Sequence, residues 1–206
     1  MYIPTAFRIE DIGKLTSFIG QHSFATLITS TDEGPFASHI PLLLDRSSHR
    51  LLGHLAIANP QWRHFATPGD VLAIFQGPHA YVSPRWYQTT PAVPTWSYAA
   101  VHIYGKARVI EDPAGVIDVV QRTVQYFEGD GPDAWDGRLP ADYQARMLKG
   151  IVAFEIAITR IEGKFKLGQN RDRADRKGVY EALKNSANEE ERRLAELILS
   201  EGLVDG

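Results

Sequence analysis

Three histidines of this chain stand in strand-like runs: His39 in SHIPLLL, His54 in GHLAIA and His102 in VHIYG. Their immediate neighbours are largely apolar, and on a strand residues i±1 point to the opposite face, so each imidazole shares its face with residues two away. A neutral imidazole near pH 7 can shuttle a proton or ligate iron. No HxH or HExxH spacing is present, so no metal site is expected from them, although one sheet face could gather all three. The chain has no cysteine, which excludes disulfides, thiolate nucleophiles and Cys-based zinc or iron–sulfur centres. GxSxG, Walker and paired-acid motifs are missing too, so no catalytic residue stands out.

Two further groups of residues carry chemical potential. AYVSPRWY and VPTWSY each set Tyr or Trp beside Ser or Thr around a proline. Flat apolar faces with hydroxyl donors suit a planar heterocycle with polar edges, and they equally suit the rim of a β-barrel whose strands end at proline. The stretch KFKLGQNRDRADRKGV concentrates Lys164, Lys166, Arg171, Arg173, Arg176 and Lys177. Such a run can clamp a phosphate or touch nucleic acid, or it can be a solvated loop paired with Asp172 and Asp175.

The elements that position these residues are mostly strands. RIEDIGKLTSFIGQHS reads as an amphipathic helix, with Ile9, Ile12, Leu15, Phe18 and Ile19 on one face. FATLITSTDEGPFASHIPLLLD reads as a hairpin joined by the turn Thr31-Asp32-Glu33-Gly34-Pro35, and RLLGHLAIA as a third strand. DVLAIFQGPHAYVSPRWY predicts two strands broken near Gly77-Pro78, and VPTWSYAAVHIYGKARV a sixth. From Asp112 the period becomes helical, with Asp112 as N-cap and Pro113 in the first turn, followed by a second short helix in PADYQARMLKG. IVAFEIAITRIEGKFKL returns to alternation, and residues 176–203 read as a helical, solvated tail.

Six or seven strands with late helices predict a mainly β fold with peripheral helices (α+β), a closed or nearly closed barrel. The expected organisation is a barrel over residues 1–170, with helices inserted at about 113–149, and a basic loop with a helical appendage over 171–206. A βαβ nucleotide fold is disfavoured, because strands do not alternate with helices and no glycine fingerprint follows a strand. A net charge of −3 gives no global pull toward nucleic acid. With no apolar run of about 18 residues and no signal-peptide pattern, a cytoplasmic protein without membrane contact is expected.

MYIPTAF, HLAIANPQW, HAYVSPRWY, VPTWSYAAVHIYGKA and KFKLGQNRDRADRKGV, in that order and over nearly the whole chain, resemble the PaiB family of FMN-binding negative transcriptional regulators. The resemblance implies an FMN-binding split β-barrel, forming a homodimer with flavin at the subunit interface. It implies cofactor contacts from Ser38, His39 and Ile40, from His54, Leu55, Ala56 and Asn59 on the phosphate side, and packing by Trp62 nearby. Tyr81, Ser83, Pro94, Thr95, Trp96 and Tyr98 would form a second wall, with Lys166 and Gln169 reaching in from the late strand. The chain departs from the family pattern at Trp96-Ser97-Tyr98, where Trp-Asn-Tyr is expected. Serine keeps a donor and an acceptor but is shorter than an amide.

Besides the regulator role, two alternatives follow from the same residues. One is a flavin-dependent oxidoreductase using His39, His54 or Tyr98 for proton transfer; the other is a haem-binding split-barrel protein with a histidine as axial ligand. DNA, if bound, would meet the Lys164–Lys177 cluster, since no recognition helix is evident.

Overall fold

A computed structural model describes residues 1–205. Among them are eight strands: β1 (Arg8–Ile9), β2 (Phe24–Thr31), β3 (Gly34–Pro41), β4 (Leu43–Asp45), β5 (Arg50–Ala56), β6 (Val71–Val82), β7 (Thr95–Val109) and β8 (Ile151–Lys166). Five helices accompany them: α1 (Ile12–Gln21), α2 (Pro113–Glu128), α3 (Ala141–Leu148), α4 (Arg173–Lys184) and α5 (Glu189–Ser200). The strands form one sheet in the order β3-β2-β6-β7-β8-β5-β4, with β1 paired to β8. The β1–β8, β2–β3, β2–β6, β4–β5 and β5–β8 pairings are antiparallel. This is the expected mainly β class. Among the described residues no helix is long and apolar enough to cross a membrane.

Several elements differ from the sequence expectation, each for a local reason. The Gly77-Pro78 step does not break β6, which runs unbroken from Val71 to Val82. Its pairing with β2 covers only Leu72 to Ile74, so Pro78 lacks no ladder bond on that side. The next amide, His79 N, donates instead to the Glu190 carboxylate at 3.3 Å. Helix α1 starts at Ile12 rather than Ile9, because Asp11 Oδ1 accepts the Lys14 amide at 3.0 Å as an N-cap while Ile9 pairs with Gly163. The tail is two helices, the second capped by Asn188, whose Oδ1 accepts the Glu190 amide at 3.0 Å. Asp112 caps α2 as anticipated, accepting the Gly115 amide at 2.9 Å.

The chain divides into two compact units. The first comprises Met1–Phe18, Gln76–Val101 and the chain from Glu162 on; the second comprises Ile19–Phe75 and His102–Ile161. In the first, Phe7, Leu15, Phe18, Phe165, Leu183, Leu194 and Ile198 are buried, and the Phe18 and Phe165 rings lie 5.0 Å apart. In the second, Leu27, Leu51, Leu55, Phe75, Ile103, Phe154 and Ile156 form the core. Removing such surface from water is the main stabilising term in each. The second unit also buries Glu155, which accepts both Arg50 Nη1 contacts at 2.7 Å and pairs with Arg108. Burial pushes that carboxyl up, but the two guanidiniums outweigh it and hold it below the usual range.

Candidate functional site

The predicted residues fall into two groups, one in each unit. In the second unit, strand alternation places Ser38 and Ile40 opposite Leu27 and Ala25, on the face that β2 turns inward, while His39 is exposed opposite Thr26. His39 Nδ1 lies 3.1 Å from Thr26 Oγ1, and its ring stacks 6.5 Å from Phe24. After β5 the chain turns at Asn59, whose two side-chain atoms do separate jobs. Its Oδ1 accepts the Gln61 amide at 3.0 Å, capping a 3-10 helix over Pro60–Ala66, and its Nδ2 donates to Ser38 Oγ at 2.8 Å. Gln61 is fully buried and donates to the Leu27 and Phe36 carbonyls at 2.9 and 3.2 Å.

The HLAIANPQW and ASHIPLLL segments are therefore tied together by side-chain bonds. Gln61 was not singled out from sequence, yet its position just after a capping Asn-Pro was a usable signal. Ala56, Ile57 and Ala58 remain exposed above this turn. Trp62 Nε1 donates to the Ile57 carbonyl at 3.2 Å, and the Arg63 guanidinium stands 5.2 Å from the Trp62 ring centre. Leu55 is a core side chain. His54 lines a different cavity of about 590 Å³, together with Val120, Val124, Trp135, Leu139 and Met147. Burial pushes the His54 pKa down, so the ring is neutral at pH 7. His102 is shifted down as well, first by burial, and its Nδ1 has no hydrogen-bond partner.

In the first unit, Trp96 and Tyr81 are exposed, and Trp96 lies 5.4 Å from the His79 ring. Lys164 Nζ stands 5.1 Å from the Tyr98 ring. Ser83 is buried and caps a 3-10 helix over Pro84–Trp86, accepting the Arg85 amide at 3.3 Å. Pro94, Thr95 and Lys166 line a cavity of about 260 Å³ that also includes Ser97, Tyr87, Arg171 and Arg176. Lys166 Nζ donates to Thr95 Oγ1. Gln169 is used locally: Nε2 donates to the Phe165 carbonyl at 2.6 Å and Oε1 accepts the Leu167 amide at 2.8 Å. The pair closes a turn whose Gly168 has φ +85, a conformation side chains resist.

The basic run is not a continuous outward stripe. Lys164 is buried and donates to the Tyr2 carbonyl at 3.2 Å. Arg171 covers the Tyr87 ring at 4.4 Å and stands 3.6 Å from Asp175, and Arg173 pairs with Asp205. Arg176 Nε donates to the Leu203 carbonyl at 2.9 Å, and its Nη1 to the Arg171 carbonyl. Asp175, itself buried, accepts the Gln88 and Thr89 amides at 2.8 and 3.0 Å and the Thr89 hydroxyl at 2.7 Å. Burial raises its pKa, but the Thr89 and Gln88 donors and Arg171 more than offset this, and the carboxyl stays below its usual range. Gly178 completes the packing, since a Cβ there would stand 2.0 Å from the Trp86 carbonyl oxygen. The RDRADRKG motif thus anchors α4 against the 84–89 loop.

Comparison with known proteins places the chain. A family model described as "Putative FMN-binding domain" matches residues 1–160. Protease synthase and sporulation protein PAI 2 of Bacillus subtilis (strain 168) is 39% identical over 201 residues, covering 96% of each chain. Among solved structures, the flavocytochrome Anf3 from Azotobacter vinelandii superposes with a TM-score of 0.64 at 14% identity, over 79% of this chain and 70% of that one. The FAD and haem binding protein from Mycobacterium smegmatis gives 0.61 at 17% identity, over 78% and 74%. At these identities the two structures speak to fold alone. By family model and by its Bacillus relative, the chain belongs to the PaiB family of FMN-binding split-barrel proteins.

Proposed function

We propose that this protein is a flavin-loaded regulator: it holds FMN on the second unit's Ser38–Asn59 segment, and a second copy of the chain completes the site. The observation that carries the reading is the family match over residues 1–160, which includes every residue of that segment. The donor set fits the group. Ser38 and Asn59 offer a hydroxyl and an amide for the polar edge of a flat ring, and Ala56 to Ala58 offer an exposed apolar ledge beside Trp62. His39 and Arg63 are the polar and cationic groups available to a phosphate there, and half-buried Ile40 follows His39 on β3. Exposed Phe24 and Ile57 are apolar surface that a partner copy would cover. FMN, when bound, supplies electron-transfer chemistry that these residues orient.

The test is a visible absorption spectrum of the purified protein after FMN loading and dialysis, paired with its mass in solution. Retention of one flavin per chain in a dimer is expected, with marked loss of flavin in Asn59→Ala. No retained flavin would overturn the reading. DNA binding, measured in the oxidised and reduced states, then tests the regulator role; the turned-in cations of the 164–177 run leave mainly Lys177 and Arg173 on the outer surface to meet a phosphate backbone.

A second reading has its own observation. The 590 Å³ cavity presents a neutral histidine beside Val120, Val124, Trp135 and Met147, with Glu128 and Asp136 also in its wall, and imidazole is an axial ligand of haem iron. A Soret band on haem titration that disappears in His54→Ala would support it, and an unchanged band would remove His54 from that role.

A further inference from the structure

We propose that the first unit carries a site of its own for a small organic anion, in the cavity between the start of β7, the end of β8 and the Arg171–Arg176 turn. This goes beyond flavin binding and does not depend on it. Three cations, Lys166, Arg171 and Arg176, line the cavity, and no carboxylate does. Such a lining is unexpected in a chain with three more acidic than basic side chains. Among the described residues the one ion pair of these three is the 3.6 Å contact of Arg171 with Asp175. Arg176 is held by backbone carbonyls and Lys166 by the Thr95 hydroxyl, so their charge is oriented without being neutralised.

Further groups complete an anion receptor. Ser97 is 4% exposed and lines the cavity, adding a hydroxyl. The rest of the wall is apolar, from Phe7, Val82, Val93 and Val179. With cations on one side and an apolar wall on the other, the ligand is a carboxylate or phosphate ester with a short apolar body. Asp175 serves the site from behind as a positioning residue: it fixes the Gln88–Thr89 backbone next to Tyr87 and steadies Arg171.

Calorimetric titration of the full chain with phenyl phosphate and with benzoate tests this, using benzyl alcohol as the neutral control. Saturable one-to-one binding of at least one anion is expected, weakened tenfold or more in Lys166→Gln, with the alcohol failing to compete. Arg176→Gln should behave alike; if that variant does not fold, Lys166→Gln decides the matter. Absence of saturable binding, equal affinity in Lys166→Gln, or competition by benzyl alcohol would each overturn the proposal. Titrating protein already loaded with FMN separates the two sites. Persistent anion binding supports a separate site, whereas its loss would make the cavity part of the flavin's own site and overturn the claim of independence. Protein that never takes up FMN but binds the anion would fail the flavin reading alone.

Discussion

The two units solve polar recognition in opposite ways. The segment proposed for flavin in the second unit is built from a hydroxyl, an amide and exposed apolar backbone, with charge only at its edge. The cavity of the first unit gathers three cations whose geometry is set by carbonyls, a hydroxyl and an aromatic face. The contrast teaches that a count of charges along a chain does not locate its anion site. What matters is whether those charges are turned inward and held largely by neutral groups, since a surface ion pair contributes little and an oriented, partly desolvated cation contributes much.

Four experiments would break or sharpen this contrast. Asp175→Ala should have the largest effect, a loss of about 3 kcal/mol, because it leaves three loop donors and Arg171 without their buried acceptor. Chemical denaturation measures it, and flavin retention in the folded fraction should be unchanged. Equal loss of flavin would show that the two units are not separable in function. Glu155→Gln should cost less, about 1–2 kcal/mol, since Arg50 and Arg108 can turn to solvent. Both carboxyls are held below their ordinary values in the folded state. Their stabilisation is therefore complete above the unfolded pKa of about 4 and lost as pH falls through the folded values, so each variant should flatten acid unfolding below about pH 4.

Asn59→Ala should cost about 1 kcal/mol of stability through the lost cap, while lowering flavin affinity and sparing phenyl phosphate binding. Loss of both ligands together would erase the contrast. The smallest effect expected is a histidine one. His54 and His102 are both held below the ordinary value by burial, so the unfolded chain takes up more protons as pH falls below about 6.5. Thermal midpoints should decline slightly from pH 7 toward pH 5.5, and the decline should shrink in His54→Gln.

Much of this architecture was legible because it rests on local rules. The Asp112 cap, the hairpin turn before Gly34-Pro35 and the return to alternation after Gly150 each follow from residue types at fixed offsets. The continuity of β6 through Pro78 was not legible, because it depends on where β2 stops pairing and on a carboxylate over a hundred residues away. The site shows the same division. Asn59 and Ser38 could be nominated from their motifs, but that they bond each other, and that Gln61 secures them from a buried position, is a matter of tertiary register. Likewise the basic run could be seen, whereas the inward turn of its members required the anchoring of Asp175. That the Gln169 amide closes its own turn is likewise not legible in the sequence.

That anchoring has a consequence for cooperativity. Asp175 and Arg176 are neighbours on α4, one gripping the Gln88–Thr89 backbone and the other lining the anion cavity. Order in the loop and occupancy of the cavity thus depend on adjacent residues of one helix, and to the extent that the two are coupled, each strengthens the other by the same factor. A contact that stiffens residues 88–95 from outside would raise anion affinity without touching the anion.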